Sequence, residues 1–143
     1  MMRRGFTIIE LLVVLSLVGV LAMLAAPTFL TMKKNVALRN ESTIIVNALR
    51  TAQYRSIVSQ DNYTHGVHFD TDRLTVYGNT WSNPVNPEVH LFSNGVVVTQ
   101  GIGSDAVFSR LIGSSTPQVI SIGYPGGTIS TITISGAGAI SNL

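Results

Sequence analysis

The 143-residue chain contains no cysteine. That excludes a disulfide framework, a thiolate metal site and a thiol nucleophile, so any folded domain is held by its apolar core alone. Charge is sparse as well, with Asp, Glu, Lys and Arg making up 11% of the residues. Two of the nine basic residues, Arg3 and Arg4, precede Gly5, and without them seven basic residues face seven acidic ones. So balanced a chain argues against a general polyanion binder. The tail Gly136-Ala137-Gly138-Ala139-Ile140-Ser141-Asn142-Leu143 carries no basic side chain, whereas binding by counterion release needs several cations on the phosphates. A phosphate-cradling loop is missing too, because Gly101-Ile102-Gly103 lacks both the lysine and the following helix. No repeat recurs at a fixed period.

What the chain has in abundance is an apolar beginning. Arg3-Arg4-Gly5 leads into a hydrophobic run from Phe6 to Pro27 that encloses one carboxylate, Glu10. A carboxylate near the centre of a membrane helix costs roughly 2.5–3.5 kcal/mol, so an acid placed there points to function. As a helix, Phe6 to Leu30 would rise about 37 Å, enough for a hydrocarbon core of about 30 Å. The run exceeds the roughly 7–15 apolar residues of a secretory signal. Its nearest small-residue site, Ala25-Ala26, is preceded by Leu24 and followed by Pro27. A retained span over residues 6–30 is therefore expected, with residues 1–5 as a cytoplasmic leader and the C-terminal part outside. Lys33 and Lys34 on the far side compete with that orientation. Gly19 and Pro27 interrupt the run, and Pro27 has no N–H to offer the carbonyl of Met23. Either the helix is kinked there, as membranes tolerate, or the span ends at Pro27.

From residue 31 to 61 the pattern becomes one-sided. Leu38, Ile45, Ala48, Leu49 and Ala52 recur at helical spacing, while Arg39, Glu41, Asn47, Arg50, Gln53 and Arg55 take mainly the other positions. Neither proline nor glycine occurs between Asn35 and Gln60, and Asp61-Asn62 is a plausible stop. Residues 62–143 read as β-rich. Tyr63–Phe69 alternates, Asp70-Thr71-Asp72 turns, and Leu74–Tyr77 completes a hairpin signal. Gly78–Pro87 reads as a loop dense in Asn and Pro. Further strands are expected at Val89–Phe92, Val96–Thr99, Ala106–Ile112, Val119–Ile122 and Thr128–Ile134, with Ile140 beyond a last glycine break. The expected fold is α+β: a long N-terminal helix, first half transmembrane and second half amphipathic, packed on a C-terminal antiparallel sheet.

Catalytic and metal constellations are thin. His65, His68, Asp70 and Asp72 invite a metal cluster, but positions 65 and 68 of a strand face opposite ways. A solvent-facing hairpin is the plainer expectation, with no metal and no cofactor. Lys33, Lys34 and Arg39 read most simply as anchors at a lipid surface, each worth around 1 kcal/mol near acidic headgroups. A groove for DNA is the sharper alternative. Trp81 in its Asn/Pro-rich loop is either an adhesive tip or a ring covering the sheet edge.

Gly5-Phe6-Thr7-Ile8-Ile9-Glu10, with the apolar run to Pro27, resembles the prepilin cleavage and methylation motif of type IV pilins and type II secretion pseudopilins. The resemblance implies cleavage after Gly5 by a prepilin peptidase, N-methylation of the new amine on Phe6, and neutralisation of that ammonium by Glu10 of an adjacent subunit. It also implies Gly19 and Pro27 as brackets of a kinked or unwound stretch. Leu49-Arg50-Thr51-Ala52-Gln53-Tyr54-Arg55-Ser56-Ile57 and Gly66-Val67-His68-Phe69 are similar to the start of the head in the pseudopilin H and FimT group. Val107-Phe108-Ser109-Arg110 and Ile132-Thr133-Ile134-Ser135-Gly136 fit that group's closing strands. The resemblance thus implies a non-enzymatic bacterial filament subunit, a minor pilin or pseudopilin. Its expected partners are the peptidase and methyltransferase, an inner-membrane assembly platform, the bilayer and other pilin subunits. It would be stored in the inner membrane and then enter a periplasmic or surface filament. The basic Gly-Arg-x-Arg tail of DNA-binding members is absent, which speaks against DNA as a partner.

Overall fold

The computed structural model describes residues 7–93 and 95–142, with the side chains of 24–28 left aside. The leader and Phe6 fall outside the described residues. Helix α1 spans Ile8–Ile57, and a 3-10 turn follows at Gln60–Asn62. The strands are β1 (His65–Phe69), β2 (Arg73–Thr80), β3 (Asn83–Leu91), β4 (Val97–Gln100), β5 (Asp105–Phe108), β6 (Gln118–Gly123), β7 (Ile129–Ile134) and β8 (Ile140–Asn142). Two compact units divide the chain, residues 1–35 and 36–143.

In the first unit the chain is helical from Ile8 onward. The backbone continues as helix through Gly19 and Pro27, and a methyl group at Gly19 would meet nothing within 4 Å. Packing among the described residues therefore does not require glycine there. Large apolar side chains from Ile8 to Leu21 stand between 49% and 83% exposed. Among the described residues no helix is long and apolar enough to cross a membrane.

The second unit builds one core from three layers. Its helical part contributes Leu38, Ile45, Leu49 and Ala52, all buried. These meet residues of two antiparallel four-stranded sheets, ordered β3-β2-β1-β5 and β4-β6-β7-β8. Val67, Phe69, Leu74 and Phe108 come from the first sheet, and Ile120, Ile122, Ile132 and Ile134 from the second. Each such side chain contributes about 1.5–3 kcal/mol when fully removed from water. The α+β architecture matches the sequence expectation, although the strands form two sheets where one was expected.

The helix closes at Ile57, and Ser59, Asp61 and Asn62 take left-handed φ values of 50°, 51° and 65°. Asp and Asn tolerate that conformation better than most residues, which is why they work as a stop. The expected loop at Gly78–Pro87 is instead a hairpin, with β2 running to Thr80 and β3 starting at Asn83. The prolines misled because β3 is an edge strand, where a missing N–H donor is tolerated. The register shifts between Val76 and Gly78, and Asn79 and Asn86 absorb the bend with φ values of 75° and 48°. The strand expected over Ala106–Ile112 stops at Phe108, before a turn in which Leu111 takes a φ of 68°.

Candidate functional site

Glu10 lies in the first turn of α1 and is exposed. Thr7 precedes the helix, and its Oγ1 accepts a hydrogen bond from the Glu10 N–H at 3.3 Å. Thr7-Ile8-Ile9-Glu10 thus occupies the spacing of a capping box, in which a Thr side chain satisfies an otherwise unpaired N–H three residues on. A carboxylate here also faces the positive end of the helix dipole, worth about 0.3–1 kcal/mol at an exposed site. Glu10 therefore has a local use in helix initiation, visible in the Thr-x-x-Glu spacing but absent from the sequence reading. Beyond Asn35, the amphipathic stretch continues on the sheet-bearing unit.

The polar side chains buried along that stretch were also missed. Glu41 and Ser42 are each 1% exposed. Position 41 is three residues after Leu38 and four before Ile45, which puts it on the buried stripe rather than the solvent face. The Glu41 carboxylate accepts hydrogen bonds from the Ser93 N–H at 3.0 Å and from the Ser93 hydroxyl, and it contacts His90 Nε2 at 2.9 Å. Burial pushes its pKa up, but the bonds from Ser93 and His90 outweigh burial and hold the group below its ordinary value. Further along, Gln53 Nε2 donates to the carbonyls of Gly113 and Gly138, each at 2.9 Å. Asn142 Nδ2 donates to Ser42 Oγ at 2.7 Å. The buried Ser56 hydroxyl accepts from the His65 N–H at 2.8 Å. Polar ties thus fix the helix to both sheets.

The histidines are not on a solvent-facing hairpin. β1 is flanked by β2 and β5, and His65 and His68 are 5% and 6% exposed. They sit on opposite faces, as alternation requires. His65 shares the face that packs on the helix; burial first, and the Arg55 charge second, push its pKa down. His68 lies on the other face, with Nδ1 2.8 Å from Asp105 Oδ1 and Nε2 3.5 Å from Asp70 Oδ1. The Tyr77 hydroxyl donates to the same Asp105 oxygen at 3.1 Å, and burial followed by the Asp105 charge pushes the Tyr77 pKa up. Trp81 folds over this group, its ring stacked on His68 at 3.8 Å and 8°. Its first duty is thus to cover the face of the sheet, not its edge. Among the described residues no three His, Asp or Glu side chains form a group able to hold a metal. Lys33 lies over the Phe29 ring at 5.3 Å.

The described chain thus has an exposed apolar helix that starts with Thr7 and Glu10 at capping-box spacing, and an α+β head of helix and two sheets. The model of the prokaryotic N-terminal methylation motif matches residues 1–26. The type IV major pilin protein PilA of Myxococcus xanthus (strain DK1622) is 33% identical over 79 residues. That match takes in 53% of this chain and 36% of PilA, so the chain spans about a third of the relative's length. Among solved structures, the minor pseudopilin EpsH from the type 2 secretion system of Vibrio cholerae shares the fold, with a TM-score of 0.56 at 18% identity. It covers 74% of this chain and 95% of the EpsH chain. The chain is thus similar to type IV pilin and pseudopilin proteins in three respects: its N-terminal motif, part of the PilA sequence and the EpsH fold.

Proposed function

We propose that the chain is a non-catalytic structural subunit of a type IV pilus or type II secretion-like filament, stored in the inner membrane and assembled through its N-terminal helix. One observation carries the proposal. The apolar side chains from Ile8 to Leu21 are exposed around the helix, on a segment that bears the methylation motif. Monomeric soluble proteins rarely leave so continuous an apolar surface in water. Lipid and neighbouring helices are the two environments that would cover it in turn. Heterologous contacts, in which one surface meets a different surface on the next copy, then build an open helical fibre.

In this reading residues 1–5 are removed after Gly5, residues 6–30 form the membrane and filament-core segment, and residues 31–61 continue the helix. Residues 62–143 form the head outside the membrane. Phe6 receives the methyl group, and Glu10 meets the Phe6 ammonium of a neighbouring subunit, since an opposite charge removes much of the penalty of burying either. Gly19 and Pro27 would supply the bend during assembly. Peptidase, platform and other pilins are the partners. The likeness of 49–57 and 66–69 to the pseudopilin H and FimT group supports a minor role. That role predicts a trace share of this protein in sheared filaments; a dominant share would make it a major pilin.

Processing supplies the direct test. Replacing Gly5 with a bulky residue should leave the unprocessed mass in membranes, whereas wild type should lose residues 1–5 and gain a methyl group. Normal processing of the variant would count against the proposed cleavage site.

A further inference from the structure

A second feature of the head lies where the end of the helix, the 3-10 turn and the β2–β3 hairpin meet. A polar cleft of about 240 Å³ opens there, lined by Arg55, Asp61, Tyr63, His65, Asn86 and Glu88 among others. Left-handed backbone gathers around it at Ser59, Asp61, Asn62, Asn79 and Asn86. Such strain is held at sites that the surrounding structure over-determines, often ligand sites. His65 is the independent sign. Its side chain is buried, and Nδ1 has no hydrogen-bond partner. Buried polar groups in native proteins are nearly always paired, so an orphan calls for a ligand or an ordered water. Gly78 also lines the cleft, and a Cβ there would come within 3.3 Å of His65 Nε2. The missing side chain leaves the other ring nitrogen of His65 approachable from the cleft.

The lining selects the chemistry. Arg55 is already joined to Glu88 at 2.7 Å, so no unpaired cation is left for a phosphate or carboxylate. The described residues hold no metal-binding group of three. Burial first and the Arg55 charge second disfavour a charged His65. What remains is a set of mixed donors and acceptors beside a half-exposed Tyr63 ring. Carboxylates accept from hydroxyls, Asn86 donates and accepts, and the phenol ring offers a flat apolar wall for C–H groups. We propose that this cleft binds one sugar ring of a glycan, with Asp61 and Glu88 accepting its hydroxyls, Tyr63 beneath its ring and His65 completing its missing hydrogen bond. The site is independent of filament assembly, so it stands or falls separately from the subunit reading.

The test is a titration of the full chain in detergent with the methyl glycosides of glucose, galactose, mannose and N-acetylglucosamine, reading the His65 ring nitrogens by NMR. A saturable shift with at least one glycoside is expected, weakened about tenfold or more by Asp61→Asn, which removes one charged acceptor. Tyr63→Ala should weaken it likewise, and Arg50→Gln on the exposed helix face should not. Both cleft variants change surface side chains, and unchanged thermal melting will show that they fold. No saturable shift with any glycoside would overturn the proposal. So would a shift that survives Asp61→Asn and Tyr63→Ala together, or one that appears with sodium phosphate instead.

Discussion

Glu41 and His65 are two buried titratable groups with displaced pKa values, and they make the head sensitive to acid in separate windows. The unfolded chain's imidazole takes up a proton near pH 6.5, while folded His65 resists it because its pKa is lowered. Its contribution is therefore full above about pH 6.5 and falls as pH drops through that value. Glu41 has a lowered pKa as well. Its contribution is present above the ordinary carboxylate value of about 4.3 and is lost as pH falls toward the folded value. Thermal melts of the full chain from pH 8 to pH 3 should show both declines. His65→Gln should flatten the upper one and leave the lower. Glu41→Ala should cost about 1–3 kcal/mol at pH 7, because it leaves the Ser93 N–H and hydroxyl without their acceptor. The same substitution should matter less at pH 3. A penalty independent of pH would show that Glu41 matters for packing rather than for charge.

The helix is joined to the two sheets by side chains as well as by its apolar stripe, and Gln53 is the clearest case. Its amide donates to the carbonyls of Gly113 and Gly138, and so pins the turn after β5 to the turn before β8. Gln53→Leu should cost about 1–3 kcal/mol for each carbonyl left buried and unpaired. Gly138 has a φ of 81°, and a Cβ there would collide with the Gly113 carbonyl. Gly138→Ala should thus lower the melting temperature at least as far as Gln53→Leu, measured on the same chain. If both variants melt with wild type, the helix is held by its apolar face alone. These ties also show where the sequence was legible and where it was not. Leu38, Ile45, Leu49 and Ala52 announced the buried stripe through their spacing. Glu41, Ser42 and Gln53 on the same face did not, because polar residues default to the solvent side. Reading position rather than polarity finds them. The β2–β3 hairpin was hidden by Pro84 and Pro87, which signal a loop unless the strand is known to be an edge, and edges are set by long-range pairing. The stacking of Trp81 on His68 depends on that same pairing and leaves no local trace.

At the scale of the whole molecule, the helix carries two different commitments. From Leu38 to Ser56 its inner stripe is covered by the sheets, and from Ile8 to Leu21 its apolar side chains stand exposed among the described residues. That contrast was readable in the sequence, since an all-round apolar run gives way to a one-sided one. It is also why the proposed function places the first stretch in lipid and then in a fibre.

The proposed function rests most heavily on Glu10 acting in assembly by its charge. The structure supplies a rival, because Glu10 also stands at the capping-box position of the first turn, its N–H bonded to Thr7, and glutamine can fill that position as glutamate does. The variant Glu10→Gln separates the two. The decisive measurement is the amount of processed protein in sheared filaments relative to the membrane pool, for wild type, Glu10→Ala and Glu10→Gln. The account predicts that both variants insert and are processed, yet are both lost from filaments. Incorporation of Glu10→Gln at the wild-type level would contradict it, and would leave Glu10 with its place in the first turn alone.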